Sequence, residues 1–429
     1  MNIKIGNLFK GDKVIWMIFF FLCIISVVEV FSASSGLTYK SQDYMTPIIK
    51  HAGMLIFGAI ITVITLNIHW KYFKLTTPFL LLISLFTLIW VLVGGEDING
   101  AQRVIKFLGQ TFQPSEIAKG TMILATAQIL SAMQDENGAD ERAFKFIMIL
   151  TLPIAGLIFV ENLSTSVLLC AVIFLMMFIG RVPLRQLGKL LGIVTIIAVV
   201  AVSFVMIAGK DKDEMAAAEL NKEIIVAEEK EDPNFIDKMF HRADTWKARL
   251  MKFMDNEKVA PKDYDLDKDA QVGHANIAIA SSNIIGKGPG NSVERDFLSQ
   301  AFSDFIFAII IEEMGILGAV GVVFLYIILL FRCARIASRC DRNFPAFLVM
   351  GLGLLLVIQA TFNMLVAVGL APVTGQPLPL ISKGGTSTII NCAYIGAILS
   401  VSRSMKKKNN PIAELGGTPN DTRLTTEKI

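Results

Sequence analysis

The sequence predicts an all-α polytopic membrane protein with about ten transmembrane helices, both termini cytoplasmic, and one long extracytoplasmic loop between helices 7 and 8. Three observations carry that expectation. Of 429 residues, 53% are hydrophobic and 18% charged, with a mean hydropathy of +0.58, which is too apolar for a soluble domain with a single anchor. Mostly apolar stretches, near the roughly 20 residues a span requires, occur at about 14–32, 48–67, 77–94, 116–133, 146–160, 163–180, 189–208, 305–331, 345–369 and 386–402. Every second connection between them is basic: Lys4, Lys10 and Lys13; Lys71 and Lys74; Arg142 and Lys145; Arg181, Arg185 and Lys189; Arg332, Arg335, Arg339 and Arg342; Arg403 and 406–408. Cytoplasmic connections carry such cations, so both termini are expected inside. The net charge of +3 reflects this asymmetry, and no nucleic-acid partner is expected.

Helices 1–7 are expected over 1–208, the extracytoplasmic loop over 209–303, helices 8–10 over 304–404, and a disordered polar cytoplasmic tail over 405–429. The first stretch is too long for a signal-peptide core and reads as a retained helix. Pro114, Ser115 and Glu116 have the chemistry of a helix start, and Glu116 and Lys119 share a face at i,i+3. That pair is either a self-neutralising ion pair or a cavity-facing one, because ionisable groups in spans are costly unless partnered or wet. Glu161, Asn162, Ser164 and Thr165 stand at a tight turn between spans five and six, where turn chemistry alone can account for them.

In the long loop, "IDKMFHRADTWKARLMKFM" suits an amphipathic helix lying on the bilayer or packed on the bundle. "SSNIIGKGPGNS" follows, a glycine-rich stretch around Lys287 that reads either as a plain turn or as an anion cradle built from Gly288, Asn291 and Ser292. Asp304 stands at the mouth of the eighth span, with Glu312 and Glu313 inside it. On a continuous helix Glu312 lies about 12 Å and about 80° from Asp304, while Glu313 is turned about 180° away. Glu312 is thus expected to line the cavity and Glu313 to pair with another helix, with Glu29 of the first span a further structural partner. "VGLAPVTGQPLPLISKGGTS", before the last span, is irregular backbone near a membrane, which survives where protein buries it or water reaches it; it is expected to line a cavity.

Several chemistries lack their motifs. The five Cys show no metal-like CxxC spacing and are expected as free thiols, the four His show no HExxH spacing, and no GxxxxGK[ST] loop occurs. Neither a zinc hydrolase nor an ATP-driven pump is written here.

"VFSASS", "FQPSEIAK", "GKGPGNS", "DFIFA" with "EEMGILG", and "TGQPLPLISKGGTS", in this order and across nearly the whole chain, resemble the SEDS family of bacterial peptidoglycan polymerases. The resemblance implies a multi-pass protein of the bacterial cytoplasmic membrane that polymerises lipid II, with undecaprenyl-pyrophosphate-linked glycan as donor. It also implies a cognate class B penicillin-binding transpeptidase and divisome membrane proteins as partners. Asp304 falls on the family's acid and is expected as general base, with Glu116 and Lys119 on its acid–lysine pair. Arg103, Lys119, Lys287 and Lys383 are expected around the pyrophosphate, with Gly384 and Gly385 beside them, and Glu161 and Asn162 as cavity lining. No cofactor is fixed; a divalent cation, Mg2+ or Mn2+, is left open. Departures from the pattern are Gln300 and Phe302, where Glu and His are usual, Asn162 in place of an acid, and Lys383 in place of Tyr. "VEVFSASS", the basic N-terminal extension and the polar tail favour a division-type, septal member over an elongation-type one, while "TGQPLP" points the other way. A lipid-linked oligosaccharide flippase or secondary transporter is the alternative from another class.

Overall fold

The computed structural model describes residues 9–39, 45–94, 96–98, 101–107, 110–136, 138–208, 266–298 and 301–406. Among them, the ten apolar stretches fall in helices: α1 (Lys13–Tyr39), α2 (Met45–Asn67), α3 (Trp70–Gly94), α4 (Pro114–Ala132), α5 (Glu141–Glu161), α6 (Leu163–Ile179), α7 (Leu184–Ala208), then, after a shorter α8 (Leu266–Ala280), α9 (Ile306–Ala337), α10 (Asn343–Ala367) and α11 (Thr386–Lys406). Segments of α1, α2, α3, α5, α9 and α10 are long and apolar enough to cross a membrane. The amphipathic stretch of the long loop and the tail beyond Lys406 lie outside the described residues.

Helix ends follow local chemistry. Asp12 caps α1 by accepting from the amides of Val14 (2.8 Å) and Ile15 (3.2 Å), and Asp140 caps α5 by accepting from Arg142 N. Asn162 ends α5 and caps α6 through Thr165 N at 3.2 Å. Buried apolar side chains of α4, α6, α9 and α10, among them Met122, Ile123, Met176, Tyr326 and Leu352, form the core. Apolar faces are left outward on α7, including Ile193, Ile196, Ile197 and Val200, as a lipid-facing helix requires.

The structure adds strands to the helical expectation. β1 (Glu96–Ile98), β2 (Ala101–Phe107) and β3 (Gln110–Phe112) form an antiparallel sheet in that order, with Ile98 opposite Ala101 and Ile105 opposite Phe112. Asn99-Gly100 between β1 and β2 is a strong hairpin signal, and the Val-Ile pair in β2 suits a strand. β4 (Gln134–Asp135) and β5 (Gly138–Ala139) form a short second pair.

α9 is broken inside. Gly315 takes φ 70 and ψ −173, a conformation open to glycine, which frees backbone groups on either side. The 283–288 segment takes them up. Lys287 N donates to Glu312 O (3.0 Å) and Gly288 N to Glu313 O (2.8 Å), while Ile316 N and Leu317 N donate to Asn283 O and Ile284 O. Within a bilayer an open helix turn needs such partners.

Candidate functional site

Asp304 does not lie on α9. Residues 301–305 are turns and the helix starts at Ile306, so the continuous-helix relation to Glu312 does not hold. Instead the turn is held by its backbone from two other elements. Asn363 Nδ2 of α10 donates to Asp304 O (2.9 Å) and to Gln376 O (2.7 Å). Ser382 Oγ donates to Ser303 O at 2.6 Å, and Lys383 N donates to Phe302 O at 2.9 Å. The Asp304 side chain is half-buried and its Oδ1 accepts from Ser303 Oγ at 3.0 Å. A carboxylate on a turn pinned this way has a fixed position while keeping a solvent-reachable side.

Lys383 stands beside that turn. Its Nζ is 4.9 Å from the centroid of the Phe302 ring, a cation–π distance. Burial first, and the charge of Lys50 second, hold its ammonium below the ordinary lysine range. Gly384 and Gly385 follow, half-buried, ahead of α11.

The Pro-rich segment preceding them is packed in protein over 378–382 rather than lining water along that length. Its carbonyls need donors there, and polar side chains from three helices provide them: Ser26 to Ile381 O, Tyr326 to Pro379 O and Gln359 to Pro377 O. Openness returns only from Lys383 onward, which corrects the expectation of a cavity lined by the whole segment.

Glu116 and Lys119 form a buried ion pair at 2.8 Å, with side chains 2% and 0% exposed. Lys119 Nζ also donates to Gln359 Oε1 at 2.8 Å. Gln359 lies one turn from Asn363 on α10, so the pair touches the same helix face that holds Asp304. Glu161 and Asn162 are both buried, and Thr165, which Asn162 caps, accepts from Gln376 Nε2 at 2.6 Å. Arg103 falls in β2, and its side chain lies outside the described ones.

The glycine-rich loop differs from an open anion cradle. Lys287 Nζ bonds Glu312 Oε1 at 2.6 Å, Ser292 Oγ donates to Glu312 Oε2, and Val293 N donates to Glu312 Oε1 at 3.1 Å. Glu313 accepts from Gly290 N (3.0 Å), Ser292 N (3.1 Å) and Ser32 Oγ, with Arg295 Nη1 at 4.0 Å. Asn291 Nδ2 turns back to Lys287 O. The reason is electrostatic: both carboxylates are fully buried, and the loop's donors satisfy them. Glu312 therefore faces the loop, and Glu313 meets Ser32 of α1 as well as the loop. Glu29, on α1, is also fully buried.

Sequence reasoning missed Gln359, Asn363 and Gln376. The signal was present, since Gln359 and Asn363 are polar at i,i+4 in the otherwise apolar "VIQATFNMLV". All five Cys are free thiols. Among the described residues, no group of three or more His, Cys, Asp or Glu is placed to hold a metal ion.

Residues 12–407 match the family described as cell cycle protein, FtsW/RodA/SpoVE. A "Probable peptidoglycan glycosyltransferase FtsW" of Saccharophagus degradans is 29% identical over 90% of this chain and 91% of its own. The protein of the same name from Halomonas elongata is 28% identical over 86% and 85%. In fold, the chain is similar to the rod shape determining protein RodA of Thermus thermophilus, with TM-score 0.61 at 22% identity over 93% of this chain and 98% of that one. A chain from a peptidoglycan synthase complex that coordinates polymerization and crosslinking gives TM-score 0.66 at 23% identity, covering 92% and 98%.

Proposed function

The chain belongs to the FtsW/RodA/SpoVE family, and from that membership we propose that this multi-pass membrane protein is a peptidoglycan glycosyltransferase that polymerises lipid II into β-1,4 glycan strands. The 4-hydroxyl of lipid II attacks the anomeric carbon of the strand carried on undecaprenyl pyrophosphate. The new C–O bond forms as the bond to pyrophosphate breaks, and the α configuration inverts to β. Asp304 takes the hydroxyl proton as general base, and the pyrophosphate leaves with the bonding electron pair. Lys383, the candidate cation beside the Asp304 turn, stabilises that departing charge. Glu116 and Lys119 act as positioning residues through Gln359. Lys287, bonded to Glu312, holds the loop that seats the broken helix α9.

One observation carries the reading. The half-buried Asp304 sits on a turn whose backbone is fixed by α10 and by the last irregular segment, next to an ammonium. Such preorganisation suits a base that must meet a sugar hydroxyl within hydrogen-bond reach.

The names of the curated relatives favour a division-type role, and the likeness to a chain of a peptidoglycan synthase complex supports a class B penicillin-binding transpeptidase as partner; action at the septum with divisome membrane proteins is part of the same proposal. Purified lipid II incubated with this chain and its cognate transpeptidase is expected to yield long, muramidase-sensitive polymer. Transbilayer movement of labelled lipid II without polymer would instead identify a transporter. Depletion in cells is expected to give filaments that elongate without septa; swollen, rounded cells would identify the elongation role.

A further inference from the structure

A cavity of about 1070 Å³ opens at the end of the bundle where α1 begins and α11 ends, the end that the basic connections mark as cytoplasmic. Lys71, Arg332, Arg335, Arg339 and Arg342 line it, opposed by the carboxylates of Asp12 and Asp341. Arg332 is bonded to Asp12, and Lys71 and Arg342 lie 6.0 Å and 5.8 Å from the Trp70 ring centroid. Arg335, in the last turn of α9, and Arg339, in the turn just past its end, are exposed, and neither guanidinium has a hydrogen-bond or ion-pair partner among the described residues.

Membrane topology asks for cations in a cytoplasmic connection but not for their convergence on one concave wall. Like charges gathered there favour a counter-anion, and an arginine fork matches phosphate with two parallel hydrogen bonds. We infer that this cavity binds the phosphodiester headgroup of an anionic phospholipid of the cytoplasmic leaflet. Three features favour a lipid over a free anion. Trp70 is a residue type that settles at headgroup level. Exposed Leu75 and Phe331, next to the wall in sequence, offer acyl chains a surface. Basic pockets between transmembrane helices on this side are suited to acidic headgroups, and the volume admits one with two phosphodiesters. None of Asp304, Lys383, Glu116 and Lys119 lines this cavity.

The test uses the full chain in neutral detergent, with melting temperature followed against added phosphatidylglycerol, cardiolipin, phosphatidylcholine or inorganic phosphate. The two acidic lipids are expected to raise the melting temperature saturably. The Arg335→Gln/Arg339→Gln variant should need about tenfold more acidic lipid for the same rise. Arg185→Gln/Lys189→Gln removes the same charge from another basic connection, and its midpoint should stay within about twofold of wild type. Equal weakening in both double variants would show diffuse surface attraction and overturn the site. An equal rise with phosphatidylcholine would do so too, and saturation by inorganic phosphate alone would overturn its assignment to lipid.

Discussion

Phe302 and Lys383 both depart from the residues usual in the family, and they touch each other, with the ammonium 4.9 Å from the ring centroid. Removing the ring by Phe302→Leu should cost about 0.5–1 kcal/mol, and a double-mutant cycle with Lys383→Met should return a coupling of that size. Additive effects would show the contact to be incidental. Lys383 also makes a pH prediction. Its folded-state pKa lies below the ordinary 10.5, through burial and then Lys50. Between the two values the unfolded chain binds more protons, so stability rises with pH there, and below the folded value the cost is fully present. The melting-temperature difference, Lys383→Met minus wild type, should shrink as pH rises toward 10.5; a difference constant with pH would refute the coupling. Sequence made Asp304 visible because an acid at the mouth of an apolar run is conspicuous. The Phe302–Lys383 contact was not visible, since about eighty residues and a packed segment separate the two.

At the scale of elements, the glycine-rich loop and α9 are one unit. A Cβ on Gly315 would lie 2.4 Å from Gly286 N and Ile284 O, and one on Gly286 would lie 2.3 Å from Glu313 O and Gly315 N. Gly315→Ala is expected to cost about 2–4 kcal/mol, from the left-handed φ and the clash together, read by thermal unfolding in detergent. Gly286→Ala strikes the same seat, so the double variant should cost less than the sum. Lys287→Met, which leaves Glu312 buried with neutral donors alone, should cost about 1–3 kcal/mol, and adding Glu312→Gln should recover part of it. Full additivity in either pair would separate loop from helix. Each stretch was legible as a motif, yet their mutual fit was not, because it depends on backbone groups freed at one residue. The hairpin of β1 and β2 is the opposite case: Asn99-Gly100 announced it, and its position in a short outer connection obscured it.

Across the whole molecule, the ten apolar stretches map onto helices because each must satisfy its own backbone in lipid, a constraint that sequence expresses directly. What sequence does not express is which polar side chains meet in the middle. Gln359 and Asn363 carry the Glu116–Lys119 pair and the Asp304 turn on one face of α10, joining three motifs that lie far apart in the chain. That convergence fixes the backbone of the turn that carries the proposed base, and the Lys383 ammonium lies against Phe302 of the same turn. The most direct measurement is polymer formed from purified lipid II, with the cognate transpeptidase present, by wild type and by Asp304→Ala matched for melting temperature and for binding of the partner. Loss of at least about a hundredfold in rate is the expected result for removal of a general base. Polymer at the wild-type rate from the folded, partner-bound Asp304→Ala protein would contradict the assignment.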